Sequence, residues 1–250
     1  MVGYSDPLSF VGEAKHPIEP ICADFAAVRA KRRKLASSMP TPRRWFPIAL
    51  FAAYSALFVA LAIHPYERAV WWAENIPIVG IALTLSALYL RGVRVSNLAY
   101  ALMSVLLFLH TVGGYFTFER VPFDWVTHAF GFQRNHYDRI AHFSVGFYAF
   151  GIAEVLTTRK LVTRTWVAVC FGVFAIGTVA AVYEIIEWIY AATQGGSAGA
   201  AFLGSQGDIW DAQEDMLADI LGALFASTLF LLVAPGTLQG SLTQASSSER

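Results

Sequence analysis

Arg134-Asn135-His136-Tyr137-Asp138-Arg139-Ile140-Ala141-His142-Phe143 is a densely polar run that passes at once into an apolar segment, residues 143–156. In helical form it stacks Asp138 and His142, four residues apart, on one face. An apolar segment with an ionisable pair at its mouth reads as a membrane span whose polar end carries chemistry. The rest of the chain supports that reading.

Hydrophobic residues make up 56% of the chain and charged residues only 14%, far from the balance of a soluble domain. The apolar residues are bunched into runs near the length that crosses a hydrocarbon core. The fold class expected is therefore all-α: a polytopic integral membrane protein built as a six-helix transmembrane bundle. Its partner is the lipid bilayer, and no nucleic-acid partner is expected. Cys22 and Cys170 fall in a polar tail and midway along an apolar run, with no metal-type spacing between them, so neither a disulfide nor a redox role is read. The first 44 residues are polar and do not resemble a cleavable signal peptide.

Three regions follow. Residues 1–44 form a basic tail, expected to be largely disordered with a short helix near 21–36, and its lysines and arginines suit anionic lipids. Residues 45–235 form the transmembrane domain, and 236–250 a polar C-terminal tail. Spans are expected at 45–63, 76–90, 95–111, 138–156, 165–190 and 215–234. Between them lie a polar loop at 64–75, a longer one at 115–137 and a glycine-rich one at 191–207, the last a candidate lid. With six spans, fourteen lysines and arginines share the side of the N-terminal tail and four lie on the other. Both termini are thus expected in the cytoplasm, with the acid-rich loops facing the periplasm.

A helix rises about 1.5 Å per residue across roughly 30 Å of hydrocarbon. That rise puts His110, His142, Glu184, Glu187, Asp215 and Asp219 in the same outer third of the bilayer. Asp211, Asp215 and Asp219 form one stripe on the sixth span. Ionisable groups at such depth should face one another inside the bundle. Three readings stay open. In a structural network, Asp138 and Asp215 cap helix N-termini and Arg139 pairs with Glu184 or Glu187. In a metal site, a divalent cation takes ligands from His110, His142, Glu187 and Asp215. In metal-free chemistry, His142 acts as acid–base group beside Asp138, with Glu184 and Glu187 also catalytic candidates. His110, Arg139, Asp211, Asp215 and Asp219 are then the ligand-binding candidates. Asp124 and His128 repeat the Asp-x-x-x-His spacing on a candidate interfacial helix. Trp71, Trp72, Trp188 and Trp210 read as interfacial aromatics.

His110-Thr111-Val112-Gly113-Gly114-Tyr115, Asn135-His136-Tyr137-Asp138-Arg139-x-x-His142-Phe143, Tyr183-Glu184-x-x-Glu187-Trp188 and Gln206-Gly207-Asp208-x-Trp210-Asp211-x-x-x-Asp215-Met216 occur in that order. Together they resemble the YjdF-type family of bacterial inner-membrane proteins, across roughly residues 45–235. The resemblance implies a six-span inner-membrane protein and no particular reaction. More distantly, Asp138-Arg139-x-x-His142-Phe143 and Asp215-x-x-x-Asp219 with Gly222 are similar to the VanZ-like pattern, a family linked to glycopeptide-antibiotic resistance. The chain departs from that pattern where Glu184-x-x-Glu187 replaces Glu-x-x-Gln.

The function expected is binding or processing of a polar or amphiphilic envelope molecule. A transporter or proton-coupled channel and a non-catalytic scaffold are the alternatives. The topology is directly testable. Reporter fusions after Arg94 and Arg164 should read cytoplasmic, and those after Phe130 and Gly199 periplasmic; two discordant loops would rule out the six-span arrangement.

Overall fold

The computed structural model describes residues 45–233, so the expectations for 1–44 and 236–250 lie outside the described residues. The described chain is helical, in the order α1 (Trp45–Ala62), α2 (Arg68–Leu90), α3 (Asn97–Phe116), α4 (Asp124–Phe130), α5 (Tyr137–Val145), α6 (Tyr148–Thr158), α7 (Thr165–Gln194), α8 (Gly196–Leu203) and α9 (Asp211–Val233). Six segments are long and apolar enough to cross a membrane, with α5 and α6 counted as one.

One rule runs through the buried stripes of these helices. Residues at three- and four-residue spacing are small or apolar in one half and ionisable in the other. On α9, Gly222, Ala223, Ala226 and Phe230 continue the line of Asp211, Asp215 and Asp219. On α7, Ala168, Ile176 and Ala180 lead to Glu184 and Glu187. On α3, Ala99, Met103 and Leu106 lead to His110. Small residues let membrane helices approach closely, where dispersion rather than water exclusion drives association. Ala149, Ala153, Ala168, Ala223 and Ala226 accordingly form the main core with Met103, Phe150 and Phe230. A second cluster, centred on Tyr54, Ile78 and Leu107, seats α1 and α2 on α3. Helix α1 is apolar all round and mostly exposed, as a lipid-facing helix should be.

The tightest contact is between α9 and the α5–α6 segment. A Cβ on Gly222 would overlap the carbonyl of Phe143, and one on Gly146 would overlap the backbone of Gly222 and Ala223. The fourth span, expected to be continuous, is interrupted there. Phe147, Ala149 and Phe150 donate to carbonyls three residues back, a local 3₁₀ tightening. At the far end, the Glu154 carboxylate accepts from the backbone N–H (2.5 Å) and hydroxyl (2.7 Å) of Ser96, whose Oγ caps α3.

Other boundaries differ from expectation for identifiable reasons. The segment 64–75 is not all loop, because α2 begins at Arg68 and its first two turns have buried partners. Trp71 is correspondingly no interfacial aromatic; it is 0% exposed and packs against Phe58. Trp72, Trp188 and Trp210 are exposed. Helix α3 runs on through Gly113-Gly114, since missing Cβ atoms there admit the ring of Phe118 and the side chains of Asn75 and Glu74. The 191–207 loop is shortened by the last turn of α7 and by α8. Helix α9 starts at Asp211, not 215. Asp124 and His128 do share a short helix, α4, which buries none of its residues.

Gly222→Ala should destabilise the detergent-solubilised protein by about 1–3 kcal/mol or more, because backbone cannot yield to the added methyl. Gly80, also helical, has nothing within 4 Å of where a methyl group would stand. Gly80→Ala should be neutral or gain up to about 1 kcal/mol. Equal thermal midpoints for the two variants would contradict the close crossing.

Candidate functional site

The ionisable halves of the stripes meet at one end of the bundle. Its rim is built by the loop before α5. Asn135 exchanges hydrogen bonds with Gln206, its backbone N–H donating to Oε1 (2.9 Å) and its carbonyl accepting from Nε2 (2.9 Å). Its side-chain amide donates to the carbonyls of Glu119 and Val121, and its Oδ1 accepts from the Tyr137 N–H. One asparagine thus fixes three connections at the start of α5.

Two arginines lie just inside. Arg134 donates to Asp211 Oδ1 at 2.6 Å and to the Ser205 carbonyl at 3.1 Å. Arg139 donates to the same Asp211 oxygen at 2.7 Å, to Glu214 at 3.1 Å and, through its other terminal nitrogen, to Asp215. The expected pairing of Arg139 with Glu184 or Glu187 is therefore not found; α9, packed directly on α5, supplies the acids instead. Asp138 and Asp215 are not N-caps either. His136 holds the N-cap position of α5 without a side-chain cap bond, and Asp215 lies a full turn inside α9. Asp208 accepts from the Trp210 N–H at 2.9 Å, and that bond, with the two arginines, holds its carboxyl below the usual range. His136, outside the spans, is held below the usual imidazole range by burial and then by Arg134 and Arg139.

Deeper lie two histidine–carboxylate groups. His142 places Nδ1 3.4 Å from Asp219 Oδ2, and Nε2 3.6 Å from Asp138 Oδ1 and 3.7 Å from Asp215 Oδ1. His110 Nε2 stands 3.0 Å from Glu74 Oε2, an ion-pair separation. Tyr183 donates its hydroxyl to the same Glu74 oxygen at 3.1 Å, and its ring lies edge-on to both imidazoles at 6.3 Å. A cavity of about 10 Å³ separates the two groups, lined among others by Glu187, Phe202 and Gly204. That volume holds one water at most. Glu184 is 9% exposed, with Oε1 buried and without a hydrogen-bond partner among the described residues.

Glu74 escapes a reading of polarity alone, which ends the second span at the first polar residue. Ile78 and Ala82 are buried four residues apart, and one further step of four reaches Glu74, 2% exposed. That periodicity is the signal that could have found it. The expected metal set of His110, His142, Glu187 and Asp215 is not the one brought together, because His110 faces Glu74. Among the described residues, the donor atoms of Asp138, His142 and Asp215 converge, all within 4.8 Å of one another.

Residues 46–235 match the family described as "Predicted membrane protein (DUF2238)". The chain is also 32% identical over 177 residues to "Inner membrane protein YjdF" of Escherichia coli (strain K12), covering 70% of this chain and 83% of that one. No solved structure matches. The relative's inner-membrane assignment and the six apolar helices agree on a multi-pass inner-membrane location. The chain belongs to the DUF2238 family of predicted membrane proteins.

Proposed function

We propose that this cluster binds or processes the polar part of an envelope molecule, such as a lipid head group or a cell-wall precursor. The observation that carries the reading is the convergence of two histidine–carboxylate groups, Glu74–His110 and Asp138–His142, on one small cavity. His142 is the acid–base group or ligand, with Asp138, Asp215 and Asp219 around it and Glu184 and Glu187 as further partners. The lysine and arginine distribution supports a periplasmic position for this end.

Charge balance favours this over a scaffold role. Seven carboxylates meet here (Glu74, Asp138, Glu184, Glu187, Asp211, Asp215, Asp219), against two arginines and two histidines. Even with both imidazoles protonated, three carboxylates remain in excess. A purely structural network gains little from so many buried acids, each of which must be neutralised by a proton or a cation. Transport is disfavoured by what lies beyond: an apolar core of Ala149, Phe150, Ala153 and Phe230 separates the cluster from Glu154.

The test uses conservative changes that keep shape. His142→Gln and Glu187→Gln should each abolish complementation of an envelope-stress or growth phenotype while sparing the thermal midpoint. Full complementation by both variants would refute the reading, as would loss of function that tracks loss of stability.

A further inference from the structure

We infer that Asp138, His142 and Asp215 bind a divalent transition-metal ion, of the zinc or manganese kind, with Asp219 orienting the imidazole. The inference deepens the proposed function and rests on the reading of this cluster as a ligand site.

Distances make the first argument. At 3.6 and 3.7 Å, the separations of His142 Nε2 from Asp138 and Asp215 are too long for hydrogen bonds. They suit atoms with a cation between them. Two ligands at about 2.0–2.2 Å from one metal stand roughly 3.3–3.8 Å apart at tetrahedral to trigonal angles.

Orientation makes the second. Asp219 faces Nδ1, the nitrogen away from the gap, and so favours the tautomer with its proton there. Nε2 then faces two carboxylates, a repulsive arrangement that a proton or a metal cation between them relieves. A carboxylate behind a metal-bound histidine is the usual outer partner in such sites. Arg139 donates to Asp215 Oδ1, the same oxygen that faces the histidine, and so fixes the position of that ligand atom.

Glu184 makes the third, and it is independent of the other two. This carboxylate is buried with an unpartnered oxygen, and it lies within electrostatic reach of His142, Asp215 and Asp138. Such a group is costly beside other acids unless a proton or a metal cation neutralises it. One imidazole nitrogen with two carboxylates suits zinc, manganese or iron(II) rather than calcium or magnesium, which take oxygen alone.

The experiment reads metal, not activity. Full-length protein in detergent is stripped with chelator, incubated with Zn²⁺ or Mn²⁺, desalted and analysed for metal content. Wild type should retain one equivalent of one of them, and added metal should raise its thermal midpoint. Asp124→Asn, on the exposed helix α4 and outside the cluster, should retain it too. His142→Gln should lose it, and Asp219→Asn should bind roughly 10–100-fold more weakly. Wild type that retains neither metal overturns the inference, as does His142→Gln that retains as much as wild type. If His142→Gln fails to fold, the wild-type midpoint shift decides alone. Metal loss in the ligand variants with full complementation would keep the metal site and remove the envelope reading. A complementation defect in a protein that binds no metal would do the reverse.

Discussion

Everything at the polar end depends on the backbone contact between Gly146 and Gly222. Where no side chain intervenes, α9 and the α5–α6 segment touch at their main chains. Asp219 and Asp215 lie one and two turns from that crossing on α9, and His142 and Asp138 lie one and two turns from it on α5. The crossing therefore determines that these four side chains meet, at separations too short for a bulkier interface. A methyl group at either glycine would overlap backbone of the facing segment and force the helices apart. The 3₁₀ tightening beside Gly146 belongs to the same accommodation, since it lets the apolar α6 and the polar α5 each follow their own neighbours.

Packing on the apolar side and charge on the polar side are parts of one design. Alanines and glycines gain dispersion by close approach, and that approach excludes lipid and water from the ionisable half above. The carboxylates there are in excess, so the bundle must gain enough from its small-residue core to hold them. Asn135, Arg134 and Arg139 contribute by tying the loops down over the helix starts, where the aligned peptide dipoles favour Asp138 and Asp211.

The spans are legible in the sequence because a twenty-residue apolar run matches the thickness of a bilayer and little else in a folded chain. So is the candidate set around His142, since acids and histidines at helical spacing near span ends must find one another. What escapes is whatever polarity hides. Glu74 and Trp71 sit in a stretch that reads as loop, yet Gly113-Gly114 on the facing helix makes room for Glu74 and Asn75. The partner of Arg139 is misjudged because sequence gives depth along a span but not which spans are neighbours. Helix α8 goes unread, its Gly and Ala residues offering no periodic signal. The distinction between the two histidines, one facing three aspartates and one facing Glu74, lies in rotations about helix axes that spacing alone leaves free.

The ion pair between Arg139 and Asp215 joins residues 76 apart in the chain. Synthesis proceeds from the N-terminus, so α5 reaches the bilayer with its arginine before the acids that neutralise it exist. Helix α9 in turn brings Asp211, Asp215 and Asp219 into a segment otherwise apolar enough to insert unaided. Each half carries charge that lipid tolerates poorly until the other arrives. The last helix is thus the closing step of biogenesis, and a chain truncated before it presents an unmatched cation and a row of uncovered small residues to the membrane, a signature that quality-control proteases can read.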